Sequence, residues 1–300
     1  MIKAFPKIFA IGTDYIRDIF DGPVEVTEKV DGSQFAFGKV NGELFTRSKG
    51  KVIFREAPEK MFLPALDYVY SIEPALPDNS VFYCEYLKSP KHNSLKYGRI
   101  PINHLMLFGV SDTFGSKFIS EYEKIIDWAA ILNIEPIPIM PFGHVPDVAT
   151  LQSMLDYESI LGGCKIEGVV VKNYAKQFLL GGQPMPLMMG KFVSEAFKEV
   201  NQKTWKGEHT GKGRWETFCE GFRTEARWNK AIQHLAEIGE LENSPRDIGK
   251  LIKEIQRDIA EEEKQNIMEV LYREYGGEVL RKSIAGFPEW YKVQLAERSF

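Results

Sequence analysis

Short apolar runs rich in Val, Ile, Phe and Tyr recur between residues 23 and 193, each bounded by turn signals, and this pattern constrains the fold more than any other feature of the chain. Pro23 to Glu28 carries Val24 and Val26, and Ser33 to Val40 alternates Phe35, Phe37 and Lys39. Both read as strands, with Asp31-Gly32 a tight turn between them. Asn41-Gly42 is a strong hairpin signal. Ser80 to Leu87, His104 to Val110, Ile166 to Lys172 and Leu187 to Val193 complete the set of strand-like runs, with helices expected at Glu121 to Asn133 and Val148 to Tyr157. Near residue 200 the organisation changes. Asn201 to Arg214 is polar and glycine-rich, and beyond it Glu216 to Gly239, Asp247 to Glu263, Ile267 to Tyr275 and Trp290 to Leu295 show helical periodicity, with Ile248, Leu251, Ile252, Ile255 and Ile259 on one face. A chain of 300 residues, 44% hydrophobic, has room for two domains. The expectation is an α+β domain over residues 1–200, a linker over 201–214 and a helical domain over 215–300.

Almost every strand-like run carries one charged or aromatic group at a place where burial makes it consequential. Lys29 ends the first run, directly before Asp31-Gly32. A free lysine has a pKa of about 10.4, so it serves as a nucleophile only where desolvation or neighbouring cations lower that value. Taken alone, Lys-x-Asp-Gly also suits an ordinary surface hairpin. Arg47, Lys49 and Lys51 place three cations in one loop, which invites phosphate. Glu85 is a lone carboxylate in a buried-looking strand, costly unless hydrogen-bonded, and Phe108 is a ring suited to stacking on a base. Alternation along Ile166 to Lys172 puts Glu167, Val169 and Val171 on one face and Lys172 on the other, and Lys191 is a single cation in the last apolar run. The segment Lys88 to Arg99, with Lys88, His92, Tyr97 and Arg99, either lines a cleft and holds a 5′-phosphate or is a solvated loop.

In this order the motifs resemble those of the covalent nucleotidyltransferase superfamily of polynucleotide ligases and mRNA capping enzymes. Within it the chain looks like the ATP-dependent RNA ligases, particularly the phage-type nick-sealing kind with archaeal and protozoan relatives. The resemblance spans roughly residues 20 to 195. It implies a nucleotidyltransferase domain of ATP-grasp-like antiparallel sheets with flanking helices, followed by a small all-helical C-terminal domain. It also implies joining of 3′-OH and 5′-phosphate RNA ends, duplex or nicked, in RNA repair, through lysyl-AMP and RNA-adenylate, with ATP and Mg2+ (or Mn2+) as cofactors. By the same resemblance Lys29 is the nucleophile, Glu28 lies beside adenine through its backbone, Arg47 contacts phosphate or ribose, and Glu85 contacts the ribose. Phe108 stacks on adenine, Glu167 organises the metal and Lys191 touches the α-phosphate.

The chain departs from the family pattern twice. The last motif of the family commonly has two lysines separated by one residue, and here Met189 holds the first position, so either the register differs or Lys172 supplies that contact. Gln34 stands where several nick-sealing relatives carry asparagine. Capping enzymes and DNA ligases of the superfamily usually carry an oligonucleotide-binding barrel where this chain reads as helices, which favours the RNA ligase branch. A GTP-dependent capping guanylyltransferase, a catalytically inactive ligase-like RNA-binding module and DNA as the joined strand are the competing readings.

Bulk properties narrow the choice little. The net charge is -4, with 20 Lys/Arg against 23 Asp/Glu in residues 1–195 and 18 against 19 in residues 196–300, so an RNA surface has to be a local patch. Arg223, Arg227 and Lys230 offer such a patch at the start of the tail, or simply a solvated helix face. Cys84, Cys164 and Cys219 suit a reducing compartment and show no metal-binding spacing with the five histidines. No apolar run reaches membrane length. The expected location is cytoplasmic, without a membrane partner.

Overall fold

The computed structural model describes residues 1–142, 147–180, 183–193 and 211–297. Strands β1 (Phe9–Ala10), β2 (Glu25–Lys29), β3 (Ser33–Val40), β4 (Glu43–Ser48), β5 (Val52–Ile53), β6 (Ser80–Tyr86), β7 (Leu105–Asp112), β8 (Glu135–Pro136), β9 (Gly168–Asn173), β10 (Phe178–Leu180), β11 (Gln183–Met185) and β12 (Met188–Val193) form two principal sheets and a small hairpin. One sheet has the order β1-β12-β9-β2 and the other the order β5-β4-β3-β6-β7-β8. Pairing is antiparallel apart from β1 with β12 and β7 with β8. Asn41 and Gly42 both take positive φ (53° and 79°), as the tight hairpin between β3 and β4 requires.

The turn at residues 30–32 carries the chain from one sheet to the other, since β2 belongs to the first and β3 to the second. A second segment joins β2 to the β7–β8 edge of the larger sheet. After β8 pairs with β7, Pro138 accepts from the Glu28 amide (3.0 Å) and the Met140 amide donates to Val26 (2.8 Å). Residues 135–140 thus hydrogen-bond to both sheets.

Helix α1 (Leu63–Ser71) and α2 (Tyr122–Ile131) cover the outer face of the larger sheet, where Phe35, Phe37, Phe82, Tyr86 and Leu105 are buried with Leu66, Val69, Ile125 and Ala129. Helix α3 (Val148–Met154), capped by Asp147 on the Thr150 amide at 2.7 Å, packs with Val169 and Val171 behind the smaller sheet. The facing sides meet through Ala36, Val81 and Tyr83 on one sheet and Leu187 and Met189 by the other, with Ile2 and Phe5 of the N-terminal segment among them.

The chain separates into two compact units, Met1–Asp247 and Ile248–Phe300. Residues 201–210 of the expected linker lie outside the described residues, and its last part, from Gly211, is already helical. Helices α4 (Gly211–Glu220) and α5 (Glu225–Glu237) belong to the first unit, the break between them being residues 221–224, where Thr224 caps α5 by accepting from the Arg227 amide at 3.3 Å. The second unit consists of α6 (Ile248–Glu262), α7 (Lys264–Ser283) and α8 (Phe287–Glu297). Ile248 and Ile252, on the expected apolar face, are 57% and 51% exposed. No helix among the described residues is long and apolar enough to cross a membrane.

Candidate active site

Lys29 is the last residue of β2 and pairs in register with Gly168, the first residue of β9. That register puts Glu167 beside it, and the Lys29 ammonium donates to Glu167 Oε2 at 2.5 Å with both side chains 27% exposed. The expectation from alternation, which put Glu167 on the face of Val169 and Val171, is corrected here. Those valines lie in the core with α3, whereas Glu167 precedes the strand and escapes its parity. Two glycines make the approach possible. A Cβ on Gly168 would collide with the Phe192 carbonyl, and one on Gly32 would meet the Tyr86 carbonyl at 2.6 Å and Glu85 Cγ at 2.8 Å.

The electrostatics around Lys29 run opposite to the sequence expectation. Burial alone would push its pKa down, but the carboxylates of Glu167, Glu85 and Asp31 outweigh that and hold the ammonium above the ordinary lysine value. Three carboxylates surround the Lys29 ammonium, with the Lys191 charge next to one of them, Glu167. Burial raises Glu85 to about 8, with Lys29 opposing and Glu167, Asp31 and Glu237 adding to it. Burial also raises Glu167, with Lys29 and Lys191 pulling it back. Among the described residues no group of three or more His, Cys, Asp or Glu is arranged to hold a metal. Glu167 alone fits the small protein share that magnesium takes when phosphates and water supply its other ligands.

The turn after Lys29 is tied to segments far away in sequence. Asp31 Oδ2 accepts from the amides of Ser94 and Leu95 (both 2.8 Å), and the Asp31 amide donates to the Tyr97 hydroxyl (2.7 Å). Asn93 Nδ2 donates to the Gly32 carbonyl (2.8 Å), as does Gln233 Nε2 of α5 (3.0 Å). Ser33 Oγ donates to Glu237 Oε1 (2.5 Å) and lies 2.9 Å from His92 Nε2. His92 Nδ1 accepts from the Lys88 amide (2.9 Å), which leaves the ring proton on Nε2. Burial pushes His92 down to about 4, so the ring is neutral. On the other side of Lys29, the buried Glu28 carboxylate accepts from Ser159 Oγ (2.5 Å) and the Ile160 amide (3.1 Å), and burial raises its pKa. Sequence reasoning marked Asp31 only as the carboxylate of Lys-x-Asp-Gly and passed over Ser33, Gln233 and Glu237. The only local signal for the last two is their i, i+4 spacing on a helix.

The remaining candidates divide by position. Lys191 pairs with Val170 next to the Glu167 end of β9 and acts on Glu167 through its charge. Met189 is fully buried in the cluster between the sheets. Lys172, also buried, donates to Glu25 (2.6 Å) and to the Phe108 carbonyl (2.9 Å). Its register partner is Glu25, at the opposite end of β2 from Lys29, which puts its ammonium at the Phe108 carbonyl and away from Lys29. The Phe108 ring meets Phe5 edge-on at 4.8 Å. Arg47 donates to the carbonyls of Ile2 (3.2 Å), Ser48 (3.0 Å) and Lys49 (3.3 Å), and burial lowers its pKa. Gln34 pairs in register with Glu85. Lys49 acts on Glu237 through its charge, Lys88 is exposed, and Arg99 is engaged by Glu135 at 2.6 and 2.8 Å.

Residues 22–183, more than half of the chain and the stretch that brings Lys29, Glu85 and Glu167 together, match the RNA ligase family. The chain belongs to that family. Among solved structures it is similar to a Naegleria gruberi RNA ligase with PPi, at 17% identity and a TM-score of 0.50 over 67% of this chain, which shows a shared fold. The chain spans 58% of the length of that ligase. A lysine-to-alanine mutant of the Naegleria RNA ligase with ATP and Mn aligns at 16% identity and a TM-score of 0.48, covering 66% of this chain and 58% of that one. Comparison by sequence with curated proteins gives no match.

Proposed function

We propose that this chain is an ATP-dependent RNA ligase joining 3′-hydroxyl and 5′-phosphate ends, in duplex or nicked RNA, through lysyl-AMP and RNA-adenylate, in RNA repair. The observation that carries the reading is the Lys29–Glu167 pair at 2.5 Å, at the mouth of the cleft between the sheets, in a chain of the RNA ligase family. ATP and a divalent cation, magnesium or manganese, are the cofactors this reading requires. The three free cysteines suit a reducing compartment such as the cytoplasm.

Lys29 Nζ attacks the α-phosphorus of ATP, forming an N–P bond as the P–O bond to pyrophosphate breaks. The ammonium first loses its proton, and Glu167 Oε2, 2.5 Å away, is the acceptor within reach. Glu167 would hold a divalent cation, which when bound would supply charge neutralisation at the phosphates. Lys191 neutralises the α-phosphate oxygens, and Phe108 stacks on adenine with Lys172 at its carbonyl. Arg47 is assigned to phosphate or ribose, and the Glu28 backbone to the adenine edge. Glu85, at about 8, carries a proton at neutral pH and therefore both donates to and accepts from ribose hydroxyls. AMP then passes from Lys29 to the 5′-phosphate, and a 3′-hydroxyl displaces it to form the phosphodiester.

The test is incubation of wild type and Lys29→Ala with magnesium and α-labelled ATP or GTP, followed by a chase with nicked duplex RNA. Label from ATP on wild type alone, chased to RNA and released with a sealed strand, is the expected result. Lys29→Ala should still seal RNA that is already adenylylated. Label from GTP would move the assignment to a capping guanylyltransferase, and no adduct from either nucleotide would move it to a binding module.

A further inference from the structure

Glu28 is a carboxylate in an unfavourable place. Alternation along β2 sets it on the face of the buried Val26, opposite its neighbour Lys29, and it is 3% exposed. Burial disfavours its charge, and the Ser159 hydroxyl at 2.5 Å and the Ile160 amide at 3.1 Å offset part of that. What these two donors belong to is a small hairpin. The Ile166 amide donates to the Tyr157 carbonyl (3.1 Å), the Ser159 amide to the Cys164 carbonyl (3.0 Å), and Glu158 bridges Lys165 in antiparallel fashion. The residue that follows is Glu167. The tip of the hairpin is fixed as well. Gly98 donates its amide to the Gly162 carbonyl (2.8 Å) and Arg99 to the Leu161 carbonyl (3.2 Å), while Leu161 is buried with Val30 and Tyr97. A Cβ on Gly163, at φ +81°, would meet the Gly98 nitrogen at 2.7 Å. Tyr97 in turn accepts the Asp31 amide. The hairpin that delivers Glu167 is thus tied to the chain on both sides of Lys29, directly at Glu28 and through Tyr97 at Asp31.

We propose that the Glu28 carboxylate and the Ser159 hydroxyl are positioning residues for adenylyl transfer to Lys29, their contact setting the hairpin so that Glu167 meets the Lys29 ammonium. The proposal rests on the ligase reading above and deepens it, giving the Glu28 side chain a role besides the one assigned to its backbone. Glu167 is held from two directions. Gly168, which follows it, is fixed by the pairing of β9 with β2 and β12, and the hairpin fixes the residues that precede it. Only the second anchor is made by the residue next to the nucleophile, so it refers the position of Glu167 to that of Lys29 itself. The chemistry of the spot matches this task. One hydroxyl and one amide require two acceptor oxygens in a rigid fork, which a carboxylate provides, and Ser159 Oγ is oriented further by accepting the Leu161 amide at 3.2 Å.

The experiment compares wild type and Ser159→Ala, as full chains, by two readouts. One is single-turnover formation of the Lys29 adduct over a range of α-labelled ATP concentrations with magnesium in excess, and the other is the crystal structure of the variant. Ser159→Ala removes the donor to Glu28 while leaving Lys29 and Glu167 in the chain. The limiting rate should fall about tenfold, on the scale seen when an outer partner of a functional carboxylate is lost, with the KM of ATP unchanged. In the crystal the Lys29–Glu167 separation should lengthen beyond about 3.5 Å, out of hydrogen-bonding range. A contact that serves stability alone lowers the thermal midpoint without separating rate from KM in this way. An unchanged limiting rate overturns the proposal, as does a raised KM of ATP in its place, which would assign the hairpin to nucleotide binding. A Lys29–Glu167 pair still at hydrogen-bonding distance overturns it too. If thermal unfolding shows that Ser159→Ala does not fold, Glu28→Gln, which leaves one acceptor oxygen for two donors, decides by the same criteria. Absence of any lysyl adduct in the wild type would instead refute the ligase reading itself, and the separation in the variant crystal would still decide whether this contact sets the pair.

Discussion

Glu85 ionises near 4.5 as an ordinary glutamate and near 8 in the folded protein, because burial and neighbouring carboxylates disfavour its charge more than Lys29 favours it. Between those two values the folded chain retains a proton that the unfolded chain has released. The contribution of this group to stability is therefore undiminished below about pH 4.5 and falls as pH rises through about 8. Glu85→Gln removes that dependence. Urea unfolding at pH 5 and pH 9 should show the wild type losing on the order of 2 kcal/mol relative to the variant across the interval, and parallel behaviour of the two proteins would contradict it. Lys29 illustrates a different lesson at the same scale. A nucleophilic lysine suggests a site poor in positive charge on the ammonium, yet the protein surrounds it with Glu167, Glu85 and Asp31 and keeps it protonated. Activation has to come with the substrate, which the residue types around Lys29 do not reveal.

At the level of elements, the strands were legible because alternation and turn chemistry are local. Ser33 to Val40 was read with the bounds that β3 has, and Asn41-Gly42 takes the positive φ values expected of it. Helix α1 was not read, since Leu63-Pro64 followed by Tyr68, Val69 and Tyr70 offers neither a capping side chain nor strong helix formers. The single helical stretch expected at Glu216 to Gly239 is two helices, interrupted at residues 221–224, where Gly221 and the cap Thr224 end one and start the other. The carboxylate and cation positions of the cleft followed from motif order, but their partners did not. Ser33 with Glu237 and Glu28 with Ser159 are separated by 204 and 131 residues, and no periodicity encodes such contacts. Packing supplies a test at this scale. Gly168→Ala drives a methyl into the Phe192 carbonyl across the β9–β12 pairing. It should lower stability by about 1–3 kcal/mol and slow adduct formation by shifting Glu167, as read by thermal unfolding and labelling with α-labelled ATP. A variant as stable and as active as wild type would show that the strands separate without cost.

For the whole molecule, the division after Asp247 makes a specific statement about what the nucleotidyl site requires. Every described contact to the turn at residues 31–33 comes from residues up to 237, and α5 is anchored by Ala231 and Leu235, both buried. A chain ending at Asp247 should therefore still form the lysyl adduct with ATP. One ending before Glu225 loses α5 and should be destabilised by on the order of 3 kcal/mol, seen as a lower thermal midpoint together with weaker labelling. Equal behaviour of the two truncations would remove α5 from the site. The arrangement of the sheets sets one more property of the molecule. Residues 30–32 lead from the edge strand β2 to the inner strand β3, and residues 135–140 bond the same β2 to the β7–β8 edge, so one strand is moored to the larger sheet at two separate places. Lys29, which ends that strand, is therefore fixed like the tip of a beam clamped at two points, and it shifts only if both moorings give.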